Sequence, residues 1–295
     1  VSGAAILASS LAPLLALGAA FCFALALILT QYGLRTVPSW RSPLYTIGGS
    51  MVMAWPPALL FVDWRSFDWR AGAIFAAVGC IFPVAVSILS VRSNERLGPA
   101  IAGAAGNVTP LFAVLGAVLF LGERIGPGQA LALLLVVGGV ALMALRGGTG
   151  RRQWSVWVLG LPLAAALVRG SIQPAIKTGL GLWPEPLAAA AIGYSFSTLV
   201  IVSLVGRRSL RTGPPDRRGL LWFLAVGASN GTATFLLYAA LGLGSITVVA
   251  PLVAVFPLIA VALSYLLLRE ERLHIIGLLG VLISVGGVIL LLLLQ

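Results

Sequence analysis

Arg169 interrupts an apolar run eight residues before Lys177. If Lys177 marks a helix end, Arg169 lies about 12 Å deeper, at a rise of 1.5 Å per residue. A guanidinium kept from water forks onto a carboxylate or phosphate through two parallel hydrogen bonds. It could equally bond backbone carbonyls freed by Pro162 or Pro174, or reach back to water along its own stem. The sequence leaves both readings open. Neutral polar groups fall at similar depth in other apolar runs: Ser50, Asn107, Gln173, Tyr194, Ser197 and Asn230, with Thr109, Ser171, Ser195, Ser229 and Thr232 near them. Amide and hydroxyl oxygens accept hydrogen bonds. The set could therefore hold a zwitterion, with its carboxylate on Arg169 and its ammonium on the acceptors. Each neutral group alone also fits an interhelical hydrogen bond. The candidate substrate-binding residues are Arg169, Asn107, Asn230, Gln173, Ser50, Tyr194 and Ser197.

What is missing at depth narrows the chemistry. The eight carboxylates, Asp63, Asp68, Glu95, Glu123, Glu185, Asp216, Glu270 and Glu271, fall in loops or at the ends of apolar runs, as does the one histidine, His274. Carriers that couple to protons place a titratable carboxylate or histidine inside the membrane. A uniporter or exchanger of neutral or zwitterionic solutes is the expectation here. No cluster offers metal ligands, and no Ser–His or Cys–His pair is available at depth. We expect no catalytic residue, no metal and no cofactor.

These groups must be positioned by helices that cross lipid. The sequence is 60% hydrophobic and 9% charged, against about a quarter charged in ordinary soluble domains. Apolar runs of about 20 residues, the length of a bilayer crossing, follow one another with little between. We read ten spans, at 11–32, 43–62, 71–91, 97–121, 127–145, 154–180, 185–205, 219–243, 245–268 and 275–294, with the longest loop between the seventh and eighth, at 206–218. The fold class is all-α and polytopic. The net charge of +11 comes from arginines in short loops, where charge sets orientation and meets anionic headgroups rather than nucleic acid. Cys22 and Cys80 lie inside apolar runs and read as small core residues, not a disulfide. No basic segment precedes the first span, so no cleavable signal is expected. Most of the eight tryptophans fall near span ends, as an interfacial belt would; Trp55 and Trp183 are the expected exceptions.

The chain repeats itself. Pro110 leads to Glu123-Arg124 and Gly138-Gly139-Val140; Pro257 leads to Glu271-Arg272 and Gly286-Gly287-Val288, with 148 residues between the two Glu-Arg pairs and between the two Gly-Gly-Val triplets. Ala77-Val78-Gly79 matches Ala225-Val226-Gly227 at the same separation, and Gln31 matches Gln173 at 142. Two units follow, 1–148 and 149–295, each with five spans. An odd number inverts the second unit, and inverted repeats place a substrate site between them near the midplane. Alternate loops hold fourteen arginines; the opposite loops hold Arg65, Arg70, Arg124 and Lys177. Positive-inside bias puts the first set in the cytoplasm and both termini outside. Pro83, Pro110, Pro251 and Pro257 free carbonyls within spans and are the expected hinges.

The five-plus-five plan and the duplicated Pro…Gly-Glu-Arg…Gly-Gly-Val pattern resemble the drug/metabolite transporter superfamily, EamA-type, over nearly the whole chain. The second copy departs from the pattern, with Arg269-Glu270-Glu271-Arg272 at the turn. The resemblance implies a bacterial inner-membrane exporter of small metabolites, amino acids foremost and aromatic ones among them, working by alternating access as a monomer or homodimer. A lipid-linked flippase and a drug exporter of the same superfamily are the alternatives it leaves.

Overall fold

The structure is a computed structural model that describes residues 3–97, 106–145, 156–213, 216–268 and 275–294. The described residues form helices and turns, with no strand. In chain order the helices are α1 (Gly3–Gly33), α2 (Ser42–Phe61), α3 (Trp69–Ile81), α4 (Val84–Leu97), α5 (Thr109–Leu121), α6 (Pro127–Leu145), α7 (Gly160–Leu182), α8 (Pro186–Ile201), α9 (Arg207–Arg211), α10 (Arg217–Leu243), α11 (Ile246–Val253), α12 (Phe256–Leu268) and α13 (Ile275–Leu293). Seven described stretches are long and apolar enough to cross a bilayer: Leu11–Gly33, Ser42–Phe61, Trp69–Ser90, Trp157–Leu182, Pro186–Leu210, Arg217–Leu243 and Ile246–Leu263. Three shorter apolar helices, Thr109–Leu121, Pro127–Leu142 and Leu279–Leu293, fall in the other expected spans. Large apolar side chains cover the outside: Leu60, Phe120 and Leu293 are each more than three-quarters exposed. In water that surface would be untenable; against acyl chains it needs no cover.

Three expected spans are not continuous helices. The third breaks into α3 and α4 at Phe82-Pro83, the fourth turns at Asn107-Val108 before α5, and the ninth breaks into α11 and α12 at Ala254-Val255. Proline explains the breaks, because it lacks an N–H and its ring crowds the carbonyl four residues back. Pro83 frees Gly79 O, which lies 2.7 Å from Ser197 Oγ. Pro110 frees Gly106 O, which accepts from Thr109 Oγ1 at 2.8 Å. Each freed carbonyl thus finds a hydroxyl donor within the bundle, as a buried backbone acceptor requires.

Helices from the two halves of the chain pack directly. α1 and α10 run antiparallel: Gly33 meets Phe223, Gly18 meets Leu236 and Gly244 meets Ala12. Where α3 crosses α8, Gly79 lies against Gly193 so closely that a Cβ would strike its backbone; where α2 crosses α10, a Cβ on Gly227 would come within 2.7 Å of Gly49 C. Without a hydrophobic drive between helices in lipid, such backbone approach is a main source of cohesion. The α6–α13 contact shows reciprocity. Gly139 faces Gly280 and Ser284, and Gly287 faces Ala132 and Val136. Those residues are related by the same 148-residue separation, so the two helices exchange like contacts.

Several expectations need correction. The 206–218 segment is not simply a loop: a π-helical turn, Val202–Gly206, carries α8 into α9. Ser209 on α9 is buried because Arg41 holds it, a partnership that sequence spacing does not reveal. Cys80 is exposed and Cys22 half-buried, and both are free, so neither is a core thiol. Trp64 joins Trp55 and Trp183 inside the protein instead of the belt: it stacks on Trp55 with ring centroids 5.8 Å apart and meets Trp183 edge-on. Trp69 and Trp157 are exposed as a belt would have them. The second Glu-Arg turn, Arg269 to Arg272, His274 and Trp154 lie outside the described residues.

Candidate functional site

A cavity of about 310 Å³ lies where the three helix breaks converge. Phe82 and Pro83 line it from the α3–α4 break, Asn107, Thr109 and Pro110 from the turn before α5, and Val253, Ala254 and Phe256 from the α11–α12 break. α7 contributes Arg169, Ile172, Gln173 and Ile176, a stripe at helical spacing. α10 adds Asn230, Thr234, Leu237 and Tyr238. Irregular backbone at membrane depth is tolerated where it lines such a space. The volume is at the lower end of small-molecule sites.

Arg169 lines the cavity, and no acidic side chain among the described residues pairs with it. One turn further along α7, Gln173 is 7% exposed, and its amide oxygen has no partner. An unpaired buried acceptor costs about 1–3 kcal/mol. Asn107 and Asn230 are half-buried on the facing walls. Most of the lining is apolar: Phe23 and Phe256 meet with ring centroids 6.4 Å apart, and Phe82, Leu27 and Leu237 complete a greasy wall.

Four of the seven sequence candidates, Arg169, Asn107, Asn230 and Gln173, thus face one space. The other three do not line it. Ser50 Oγ donates to Gly227 O at 2.9 Å, across the α2–α10 crossing. Ser197 Oγ lies 2.7–2.9 Å from Gly79 O, Phe82 O and Gly193 O at the α3–α8 crossing. Tyr194 Oη sits 2.7 Å from Thr234 Oγ1. Tyr194 and Ser197 border a small crevice that shares Phe82, Thr234 and Tyr238 with the main cavity. Of the four proline positions, Pro83 and Pro110 line the cavity; Pro251 lies within α11, and Pro257 follows the lining residue Phe256. Sequence reasoning overlooked Thr234 and Tyr238. Both sit on α10, at four- and eight-residue steps from Asn230, so the helical period from Asn230 was the available signal.

At one place charge ties α5, α7 and the start of α11 together. Gly122 ends α5 in the left-handed conformation, φ +66°, which swings Glu123 inward. The Glu123 carboxylate accepts from the first backbone N–H groups of α11, Ile246 at 3.0 Å and Thr247 at 3.1 Å, and from Lys177 Nζ at 2.9 Å. Lys177 also donates to Gly244 O. Burial alone would raise the Glu123 pKa, but the Lys177 and backbone hydrogen bonds outweigh it and hold the carboxyl below its ordinary value. Lys177 does not mark a helix end as expected: α7 runs on to Leu182 and is capped at Trp183, because Pro174 does not break it; Lys177 lies level with the Glu123 turn instead. Trp183 is buried beside Phe67, Phe75 and Trp64.

The EamA-like transporter family matches this chain twice, at residues 10–145 and 155–293. A protein of Streptantibioticus cattleyicolor described as a "Probable terminal-alkyne amino-acid exporter" is 40% identical over 70 residues, a stretch covering 24% of this chain and 23% of that protein. A solved structure, described only as a crystal structure of a protein, superposes with a TM-score of 0.80 at 17% identity over 97% of each chain. At that identity the likeness speaks for the fold.

Proposed function

The chain belongs to the EamA-like transporter family, and from that premise we propose that it exports small amino acids with apolar side chains, held in the central cavity by Arg169. It is a multi-pass membrane transporter and not an enzyme. The observation that carries the substrate reading is the cavity itself: one guanidinium, a glutamine one turn along from it, two asparagines and aromatic walls. Arg169 takes the carboxylate, with Gln173 beside it; Asn107 and Asn230 offer acceptors to the ammonium; Phe23, Phe82 and Phe256 take the side chain. The relative's name points the same way, toward an amino acid with an apolar tail.

Ten crossings in two inverted halves are the architecture we infer. Its supports are the twice-matched family, the reciprocal α6–α13 contact and the like crossings of α3 on α8 and α2 on α10. In this reading the Glu123–Lys177 end is closed and the cavity opens at the arginine-rich end, which positive-inside bias puts in the cytoplasm of a bacterial inner membrane, with both termini outside. Transport then alternates the closed end about the proline breaks, without a coupled ion, as uniport or exchange. The test is counterflow of labelled phenylalanine and leucine into proteoliposomes preloaded with the same amino acid. The reading expects saturable uptake driven by the preload. Uptake equal to that of protein-free vesicles, across a panel of apolar amino acids, would refute it.

A further inference from the structure

The charge lining of the cavity is lopsided. Among its lining residues stand one arginine and no aspartate, glutamate, histidine or lysine. Residues 98–105, which adjoin the turn before α5 and lie outside the described set, read Gly-Pro-Ala-Ile-Ala-Gly-Ala-Ala and carry no ionisable side chain. The backbone does not offset this charge. At the α3–α4 and α11–α12 breaks one helix ends and another begins, so the opposite partial charges of the two ends lie side by side and largely cancel. The site therefore offers a net +1 in a low-dielectric space.

A carboxylate entering that space gains a formal counter-charge. An ammonium gains only neutral acceptors and shares the space with Arg169, so its desolvation is poorly repaid. We propose that this site reads the carboxylate and not the amine: its substrate class extends to apolar monocarboxylates lacking an α-amino group, and it rejects amines and basic amino acids. The inference rests on reading the cavity as the substrate site, and goes beyond amino-acid export by naming which end of the molecule selects. Gln173 fits the class, because amide oxygen and nitrogen are interchangeable by rotation and the nitrogen can donate to a carboxylate beside Arg169.

The experiment uses three ligands of one shape: phenylalanine, 3-phenylpropanoate, which lacks the amine, and phenethylamine, which lacks the carboxylate. Thermal midpoints of the detergent-purified full chain are read with each, in wild type, Arg169→Gln and Arg169→Lys. Counterflow competition against labelled phenylalanine is read alongside. The expected result is that 3-phenylpropanoate raises the midpoint and competes at least as well as phenylalanine, up to ~10-fold better, while phenethylamine is about 100-fold weaker. The 3-phenylpropanoate shift should vanish in Arg169→Gln and persist in part in Arg169→Lys. Phenethylamine competing on a par with phenylalanine, or 3-phenylpropanoate giving no shift while phenylalanine is transported, would overturn the proposal. An Arg169-dependent shift with 3-phenylpropanoate but no phenylalanine counterflow would uphold it and remove the amino-acid reading instead.

Discussion

Two buried or half-buried arginines, Arg41 and Arg169, differ in what occupies them. Arg41 is 6% exposed, and Nε and Nη2 of its guanidinium are bonded to protein. It donates to Ser209 Oγ at 3.1 Å, Gly213 O at 2.8 Å, Ser209 O at 3.3 Å and Tyr45 Oη at 2.7 Å. It also lies over the rings of Trp40 and Tyr45. That arginine straps the start of α2 to α9 and to the Gly213 carbonyl just beyond it. Arg169 instead faces a cavity, with no acidic partner among the described residues. Charge is tolerated in both places, once because protein supplies acceptors and once because, in our reading, a ligand does. In that reading the same residue type serves architecture at one end of the bundle and binding at its centre.

The contrast can be broken by substitution. Arg41→Gln should be the most damaging to stability, costing about 2–4 kcal/mol from lost charge-assisted hydrogen bonds, read as a lower thermal midpoint, while counterflow per folded molecule stays unchanged. Glu123→Ala should cost about 2 kcal/mol, since it frees two backbone N–H groups and Lys177 together. Its pH dependence has a definite sign. The folded carboxyl lies below its ordinary value, so its contribution is present above the unfolded pKa and is lost as pH falls through the folded one. Wild-type midpoints minus Glu123→Ala midpoints should thus be flat above about pH 5 and shrink in stronger acid.

Ser197→Ala should cost about 1 kcal/mol by stranding the carbonyl that Pro83 frees, with counterflow within about 3-fold of wild type. A large loss of transport without loss of stability would instead return Ser197 to the substrate site. Gln173→Leu should have the smallest effect on stability, from neutral to about 1 kcal/mol stabilising, because it removes an acceptor that no protein group satisfies. It should still weaken substrate binding, which a thermal-shift titration would read.

Much of this contrast was legible in the sequence. A lone arginine in an apolar run pointed to Arg169, and the structure sets it with Gln173, one turn on, against one cavity; the helix end expected at Lys177 lies further on, at Leu182. The duplicated Glu-Arg turn and glycine triplets announced the pairing seen between α6 and α13. Arg41 was legible only as one of many loop arginines, because its partners at 209 and 213 stand 168 and 172 residues away in the chain. Ser50 and Ser197 were misleading for a related reason: a hydroxyl at membrane depth looks alike whether it awaits a ligand or meets a backbone carbonyl across a crossing. Prolines announced where the spans would break, but not that the breaks would meet around one cavity.

The most direct measurement is phenylalanine counterflow by Arg169→Gln and wild type, reconstituted at equal density and matched for thermal midpoint. The account predicts that counterflow falls at least ~100-fold, as loss of a charge-assisted carboxylate contact in a dry site implies, while the midpoint without ligand holds or rises. Transport near the wild-type rate in Arg169→Gln, with a folded and monodisperse protein, would contradict it.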